Sequence, residues 1–397
     1  MAGTRPENRR GNEPDLRRIG LHPDFWYPLA KSEDVRPGRT HRAAFAGEPI
    51  VLARTERGEI FALEDRCAHR QFPLHKGIVC GETLRCAYHA WTYRTDGRLV
   101  GVPYLPKNAF RPAGVRGYAC REAYGYVFVF PGDRDRAPEV DLPHLPCFHS
   151  PKTRTMHFWR KIDCHYSFMH ENLMDMNHQA LHRGIMGTIQ PTLFERREGD
   201  DWVEARYRFE RTAGKPRRGA RFLMAGRWAS GDASIPDVMT IRTQYPYQTL
   251  SVRRGGSEEP AFNLWAAYVP WDREQRSHIS VGMLMIEKPR IPGLVHIIWP
   301  LIRRFAESVF AEDRMAVEME QRAYDEQGGD WNQEVNPVIV SLRALLVRRG
   351  VPLAHSGTRG ASPRTREIGL IEEEIDEMAA VRDDGRLRLS LPGRAET

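Results

Sequence analysis

The sequence contains no apolar segment long enough to cross a membrane. The longest apolar stretch, residues 291–302, is interrupted by proline, glycine and histidine and falls short of the roughly 20 residues that span a bilayer. The first residues are polar and lack the apolar core of a signal peptide. The sequence therefore predicts a cytoplasmic protein with a mobile arm over residues 1–24 and no transmembrane segment. Peripheral association with a membrane remains open.

Neither sign of charge dominates, and cysteine is scarce. The 59 Lys and Arg against 52 Asp and Glu give a formal net charge of +7. This modest excess argues against a nucleic-acid partner and is compatible with docking of an acidic electron donor. Six cysteines in a chain without an export signal indicate metal binding or catalysis rather than disulfides.

The order of patterns predicts an α+β protein of two domains, which suits 397 residues. Short β-like runs separated by glycine and Asp-Gly turns fill residues 48–132 and predict a small antiparallel β domain. A proline-rich link over residues 137–151 follows. Residues 163–182 are predicted to be helical, and WVEARYRFE, DVMTIRTQY, FNLWAAYVPW and HISVGMLMIE then alternate as strands of one antiparallel sheet. A helix is expected over residues 301–327, and a polar tail with a short acidic helix near residues 371–378 ends the chain.

Two short Cys-His pairs are the strongest chemical signal. Cys67-Ala-His69 and Cys86-Ala-Tyr-His89 are separated by sixteen residues and each follows or precedes a β-like run. Two thiolates and two imidazoles are the ligands that a Rieske 2Fe-2S cluster requires. A structural zinc site is the alternative, although zinc fingers usually pair cysteine with cysteine and histidine with histidine.

A second group of candidate ligands lies in the predicted helical segment. His178 and His182 are four residues apart and would share one helix face, with Asp175 one turn earlier. Two imidazoles and one carboxylate form the facial triad of Fe(II) oxygenases. Asp313 falls in the apolar stripe of the later helix, where a carboxylate needs a partner such as a metal. An ion pair with Arg314 is the alternative for Asp313, and Glu312 and Glu320 are rival ligands.

The motifs C-A-H-R, C-A-Y-H-A-W-T-Y-R-T-D-G and N-L-M-D-M-N-H-Q-A-L-H together resemble those of Rieske non-haem iron oxygenase catalytic subunits. Gln71 and Ala90 stand where the family frequently has glycine, and three residues separate the two histidines where four are common. The resemblance implies two sets of metal ligands. The ligands of the cluster would be Cys67, His69, Cys86 and His89, and those of a mononuclear Fe(II) would be His178, His182 and Asp313. It also implies catalytic roles for Asn172 and Asp175.

The resemblance further implies the architecture and assembly. We expect an all-β Rieske domain at residues 25–140, a helix-grip (Bet v 1/START-like) catalytic domain at residues 150–350, and a partly disordered tail at residues 351–397. Family members form rings of three in which the cluster of one subunit lies beside the iron of the next. Asp175 would then bridge His178 to a cluster histidine, His89 or His69, of the neighbouring subunit.

The implied function is that of a terminal oxygenase component. It would use O2 to hydroxylate or demethylate an apolar aromatic or polycyclic substrate. The electrons would come from a separate NAD(P)H-dependent reductase or a ferredoxin, because the chain has no glycine-rich nicotinamide or flavin motif. An electron-transfer protein whose second domain only binds a partner is the alternative. The candidates for a substrate pocket are Phe222, Met239, Tyr245, Trp265 and Met283.

Overall fold

A computed structural model describes residues 14–353, except for residues 107–108, 110–111, 214–236, 258, 290 and 292. The predicted acidic helix near residues 371–378, the tail beyond residue 353 and the pocket candidate Phe222 lie outside the described residues. No helix of the described part combines the length and the apolar character that a bilayer crossing requires.

The N-terminal part is built from β-strands, as predicted. Its strands are β1 (Ile19–Gly20), β2 (Tyr27–Lys31), β3 (Thr40–Phe45), β4 (Glu48–Arg54), β5 (Ile60–Glu64), β6 (Ile78–Cys80), β7 (Thr83–Arg85), β8 (Thr92–Arg94), β9 (Leu99–Gly101), β10 (Gly117–Ala123) and β11 (Tyr126–Phe130). One sheet has the order β2-β11-β10-β5-β4-β3, and a smaller one has the order β6-β7-β8-β9. The Cys86 loop joins β7 to β8 of the small sheet, and the Cys67 loop lies between β5 of the larger sheet and β6 of the small one.

The C-terminal part is one seven-stranded antiparallel sheet with helices against it. The seven strands of this sheet are β12 (Thr153–Ile162), β13 (Thr188–Glu198), β14 (Trp202–Ala213), β15 (Val238–Gln244), β16 (Tyr247–Arg253), β17 (Phe262–Pro270) and β18 (His278–Glu287). The short β19 (Val351–Pro352) lies outside it and pairs with β1. The sheet order is β12-β18-β17-β16-β15-β14-β13. The helices are α1 (Tyr166–Met174), α2 (Arg183–Met186), α3 (Leu294–Gln327) and α4 (Pro337–Arg349). Shorter 3-10 helices occupy Leu16–Arg18, Ser32–Asp34, Leu74–Lys76, Arg134–Glu139, Pro146–His149 and Met176–Ala180.

Buried apolar residues join the two parts. All five residues of β11 are buried, as expected of a strand covered on both faces. The Tyr126 hydroxyl at its start lies 2.7 Å from the carbonyl oxygen of Gly282 and 3.1 Å from that of Phe158. These hydrogen bonds attach the first sheet to strands β12 and β18 of the second. The predicted α+β fold of a β domain followed by an antiparallel sheet with a long helix is confirmed.

The continuous helix predicted for residues 163–182 is wrong. Helix α1 ends at Met174, and Asp175 takes an extended conformation with φ −87° and ψ 95°. Its carboxylate accepts a hydrogen bond of 3.0 Å from the backbone N–H of Asn177 and so begins the 3-10 helix Met176–Ala180. Aspartate favours such caps because its short side chain satisfies free N–H groups. His178 and His182 therefore lie on two short helical turns.

The prediction of a mobile N-terminal arm over residues 1–24 is wrong for residues 14–24. Leu16, Ile19 and Leu21 are buried, and β1 pairs with β19 near the other end of the described chain. Arg17 is buried and forms an ion pair with Glu171 of α1, whose carboxylate also receives Arg343 at 2.6 Å. The arm was predicted from its polar composition, which does not reveal partners distant in sequence. Residues 14–24 instead pack against the rest of the chain, and Arg17 holds α1 through its ion pair with Glu171.

Helix α4 was not predicted, although its sequence contains the necessary signals. Asn336 caps its N-terminus through a side-chain bond to the N–H of Val338, and Pro337 occupies the first position. A capping residue followed by proline and an apolar run is a typical helix start. Helix α3 ends at Gln327 as predicted but begins seven residues before the expected position, at Leu294 rather than residue 301.

Replacing Arg17 with methionine is expected to lower the free energy of unfolding by about 3 kcal/mol, because a buried carboxylate loses one of its charged partners. The neighbouring Arg18→Met is the matched control. Its side chain is 56% exposed and pairs with Asp15 at 3.5 Å, so its cost should stay under about 1 kcal/mol. Chemical denaturation measures both. Equal losses for the two variants would contradict the anchoring role of Arg17.

Candidate metal centres

The two Cys-His loops have the same backbone hydrogen bonding. In each loop the cysteine N–H donates to the carbonyl five residues later, and the cysteine carbonyl accepts from the N–H four residues later. The four distances are 2.9 Å (Cys67 to Phe72), 2.8 Å (Gln71 to Cys67), 2.8 Å (Cys86 to Trp91) and 3.1 Å (Ala90 to Cys86). Gln71 and Ala90 have φ of 61° and 56°, a left-handed conformation that costs a non-glycine residue about 1 to 2 kcal/mol. The loops keep their geometry without glycine at these two places.

The two cysteines lie buried and side by side. A hydrogen bond from the Cys86 thiol lowers the pKa of Cys67 to about 5, against the opposing effect of burial. The Tyr93 hydroxyl acts in the same direction and lies 3.1 Å from the Cys67 Sγ. A thiolate is the form that binds a metal. The contact between the two sulfurs thus favours one thiolate within the pair, and neither cysteine forms a disulfide.

The two imidazoles are held next to each other by aromatic packing. The ring centroids of His69 and His89 are 4.7 Å apart at an interplanar angle of 74°, and His69 stacks on Trp91 at 4.8 Å. Among the described residues, the ligand atoms of these two histidines and two cysteines do not form a group of three or more within 4.8 Å. A single tetrahedral zinc, with bonds of about 2.0 to 2.3 Å, needs a tighter group. The spread donor set fits a cluster of two irons better.

The second centre brings together His178, His182 and Asp313. One ligand atom from each lies within 4.8 Å of the others. The Asp313 Oδ1 is 3.2 Å from the His182 Nε2 and 3.8 Å from the His178 Nε2, and the two rings lie 5.2 Å apart at 85°. Arg314, the alternative partner for Asp313, pairs instead with Glu318 at 2.8 Å.

The far nitrogens of the two histidines are fixed by hydrogen bonds. The His178 Nδ1–H donates to the Asp175 carbonyl oxygen at 2.5 Å, and the His182 Nδ1–H donates to a Glu312 carboxylate oxygen at 2.8 Å. Each bond selects the tautomer whose Nε2 carries a lone pair. Both lone pairs are therefore available to an ion next to Asp313. The rival ligand Glu312 is a partner of His182 in this structure.

His182 is the most buried of the three candidate ligands. The His182 side chain is only 1% exposed, and its Nε2 faces the Asp313 carboxylate at 3.2 Å. Burial lowers the pKa of His182, but the hydrogen bonds and charges of Asp313 and Glu312 outweigh it and raise the pKa above its ordinary value. The surroundings thus favour positive charge at this point, which a metal ion would supply. The donor set fits mononuclear iron.

Asn172 and Asp175 occupy different positions around this centre. The Asn172 Nδ2 donates to the Asp313 Oδ1 at 3.0 Å and so orients that carboxylate. The Asp175 carboxylate accepts from the side chain of Asn177 at 2.8 Å and from that of Asn336 at 3.3 Å. The hydrogen bonds between Asp175 and His178 are made by the Asp175 backbone carbonyl. Glu320 lies on the same helix, where burial raises its pKa, and it is not part of the group around the two histidines.

The predicted pocket residues are mostly deep in the core. Trp265 and Met283 are fully buried, and Tyr245 is nearly so. The Tyr245 hydroxyl accepts from the backbone N–H of His22 at 2.8 Å, so its polar end faces the N-terminal segment. Met239 is partly buried against the same core. Contact of these residues with a substrate stays a prediction.

Known proteins match the chain in both parts. A model of the Rieske [2Fe-2S] domain matches residues 25–119, and one of the vanillate O-demethylase oxygenase C-terminal domain matches residues 162–348. A 4beta-methylsterol monooxygenase of Methylococcus capsulatus is 30% identical over 349 residues, which cover 84% of this chain and 90% of that protein. The chain belongs to the Rieske oxygenase family. The vanillate O-demethylase oxygenase subunit of a Pseudomonas species is 28% identical over 76% of the chain and 87% of its own length.

Solved structures support the fold of this Rieske oxygenase. The crystal structure of dicamba monooxygenase bound to dicamba superposes with a TM-score of 0.62 at 22% identity, over 92% of this chain and 100% of that chain. The protein is therefore the terminal oxygenase component of a Rieske system, and it carries a 2Fe-2S cluster and a mononuclear iron. It works with a substrate and with a separate reductase or ferredoxin. The alternative of a non-catalytic electron-transfer protein is wrong.

The sequence did not reveal the roles of two residues, Tyr93 and Glu312, that contact the candidate ligands. Tyr93 lies in the quoted cluster motif, where alternation along β8 could have shown that it faces the cysteines. Glu312 was considered as a ligand, and its neighbour Asp313 was preferred. Nothing in the local sequence shows that its carboxylate meets a histidine 130 residues away.

Replacing Tyr93 with phenylalanine is expected to lower the cluster's reduction potential. The hydroxyl is positioned to donate to the Cys67 sulfur, and such a bond stabilises the more negative, reduced state. A net hydrogen bond is worth roughly 20 to 60 mV in a one-electron couple. Redox titration followed by visible absorption measures the shift, with Tyr118→Phe in the same domain as the control. A potential that does not change in Tyr93→Phe would show that the hydroxyl leaves the sulfur uninfluenced.

Replacing Glu312 with glutamine is expected to weaken metal binding at the second centre by about 10- to 100-fold, the usual effect of losing a partner of a ligating histidine. Co2+ titration of protein freed of its mononuclear iron, followed by absorption, gives the affinity. The control is Glu326→Gln, an exposed carboxylate on the same helix. Wild-type affinity in Glu312→Gln would mean that the His182 bond is incidental.

Proposed function

We propose that this oxygenase hydroxylates or demethylates an apolar polycyclic or aromatic substrate, with His178, His182 and Asp313 as the ligands of the mononuclear iron. The observation that supports this most directly is the meeting of their three ligand atoms within 4.8 Å. In the proposal Cys67 and Cys86 hold one iron of the cluster, and His69 and His89 hold the other. When bound, the cluster supplies one-electron storage and the single iron supplies open coordination positions for O2.

The chain's own residues prepare the second centre. Asn172 holds the Asp313 carboxylate, and Glu312 and the Asp175 carbonyl direct the two imidazoles, so that the ligands need little rearrangement when a metal binds. The strands across from α1 and α3 supply an apolar wall, since β17 and β18 are buried along almost their whole length. A wall of this kind excludes water and favours an apolar substrate.

The names of the relatives narrow the substrate class. One acts on a 4beta-methylsterol and another demethylates vanillate. From these two relatives we infer that the substrate of this chain is a carbocyclic molecule bearing a methyl or methoxy group. The polycyclic class is favoured because the methylsterol enzyme matches the larger share of the chain.

The proposal includes assembly as a homotrimer in the cytoplasm, where NAD(P)H supplies the reductase. The cluster histidines are half-buried, and Tyr88 and Tyr104 beside them are 56% and 59% exposed. Large exposed aromatic side chains are typical of surfaces that meet another protein. Asp175, which is also half-buried, would join His178 to His89 or His69 of the neighbouring subunit.

Substrate-dependent O2 consumption tests the proposed substrate class. The protein, reduced through an acidic plant-type ferredoxin and its reductase, is presented with methylated sterols, methoxylated benzoates and fused aromatic hydrocarbons. We expect O2 uptake and a hydroxylated or demethylated product with the sterols. Turnover of the aromatic acids alone would contradict the polycyclic substrate, and no turnover of any carbocycle would contradict the wider class.

Asp175→Asn is expected to retain both metal centres and to lose turnover by about 100-fold or more. Asparagine is a good helix cap, so the local fold should persist while the bridging charge disappears. Stopped-flow absorption would show the cluster reduced at a normal rate and reoxidised slowly in the presence of substrate and O2. Normal reoxidation and turnover would contradict the bridging role, and loss of mononuclear iron would show that Asp175 is structural.

A further inference from the structure

The small sheet of strands β6 to β9 has one buried and one exposed face. The buried face packs against the cluster cysteines, in one core with them, and consists of Val79, Leu84, Tyr93 and Leu99. The exposed face consists of the residues in between. We call Ile78, Cys80, Arg85 and Arg94 the outer face.

Two arginines, Arg85 and Arg94, give the outer face its positive charge. Arg85 lies directly opposite Ile78, and Arg94 lies opposite Thr83, so the two arginines are diagonal neighbours about 7 to 8 Å apart. Neither forms an ion pair within 4.0 Å in the described part of the chain. The acidic residues nearest in sequence are engaged, because Glu82 pairs with Arg57 and Asp96 pairs with Arg98.

The outer face also lies close to the cluster residues. Arg85 directly precedes Cys86, and the side chain of Tyr93, next to Arg94, reaches the Cys67 Sγ from the other face at 3.1 Å. A protein bound to the outer face would be separated from the cluster residues by the thickness of one sheet, on the order of 10 Å.

The apolar content of this surface is small. Ile78 is 39% exposed, and Val100 on the neighbouring β9 is 41% exposed. Electron-transfer encounters use small interfaces, and complementary charge around them accelerates association. Two unpaired arginines on β7 and β8, flanked by single apolar side chains on the edge strands β6 and β9, have the composition of such a transient docking site.

We propose that the outer face is the docking site for an acidic, ferredoxin-type iron-sulfur protein that reduces the cluster. This inference deepens the function as a terminal oxygenase, on which it rests. In the complex one electron leaves the reduced donor, which becomes oxidised, and enters the cluster, which becomes reduced; no bond or proton changes place.

Charge reversal at the outer face tests the docking site. The holoenzyme variant Arg85→Glu with Arg94→Glu is compared with Arg303→Glu plus Arg304→Glu, which makes the same charge change at exposed residues of α3. The probe is an acidic plant-type 2Fe-2S ferredoxin. At low ionic strength we expect the outer-face variant to lose about tenfold or more in ferredoxin affinity and cluster reduction rate, and high salt to shrink the difference. The α3 variant should remain within about twofold of wild type.

The exposed thiol of Cys80 provides a readout independent of electron transfer. Its alkylation in the oxidised holoenzyme should slow when ferredoxin is added, and should not slow in the outer-face variant. Equal losses in both charge-reversal variants, or no protection of Cys80, would overturn the proposal. A third result would also overturn it: Cys80 is unreactive in the protein alone, and the outer-face variant has a different oligomer mass from the wild type. The outer face would then be an interface between copies of this chain.

Two controls separate this proposal from the oxygenase function. Dithionite should reduce the cluster fully in every variant, which shows that the centre is intact. Substrate-dependent O2 uptake after chemical reduction should match wild type in the outer-face variant. Failure of O2 uptake in the wild type would contradict the function, whereas failure of ferredoxin to distinguish the variants would contradict the docking site alone.

Discussion

The structure depends on a meeting of two imidazole nitrogens and one carboxylate oxygen that all present lone pairs to the same small space. Polar atoms brought together in a largely buried place are costly unless each finds a partner. The chain nevertheless assembles them from segments far apart, since Asn172 contacts Asp313 141 residues later and His182 contacts Glu312 130 residues later. The broken helix after α1 and the long α3 are the two supports that hold this arrangement. The ion pairs from Arg17 and Arg343 to Glu171 fix the first of them.

The cluster site follows a different physical logic. Its ligands come from two loops of similar backbone geometry, and its stability is local: the cysteines, Tyr93 and the small sheet form a core separate from the main one. A local, rigid centre suits an electron store, because little needs to move when its charge changes. A centre assembled from distant elements suits chemistry on a substrate, which requires an opening between them.

The sequence predicts those features that depend on short spacing or strict alternation. The Cys-His pairs, the two nearby histidines and the long strands were identified because each pattern lies within a few residues. Asp313 was singled out by the family resemblance, because its place in an apolar helical stripe left an ion pair equally open. The break at Asp175, the packing of residues 14–24 and the partnership of Glu312 with His182 could not be predicted, because each depends on contacts that exist only after folding. The missed α4 is different, since its cap and its proline were visible in the sequence.

The central claim is that one chain contains two separate iron centres, and the metal content of the protein tests it most directly. Anaerobically purified protein should contain about three irons and about two acid-labile sulfides per chain. His178→Ala should reduce the iron to about two per chain and leave the sulfide and the cluster's visible spectrum unchanged. Two irons in the wild type with no loss in the variant, or zinc in place of iron and sulfide, would contradict the account.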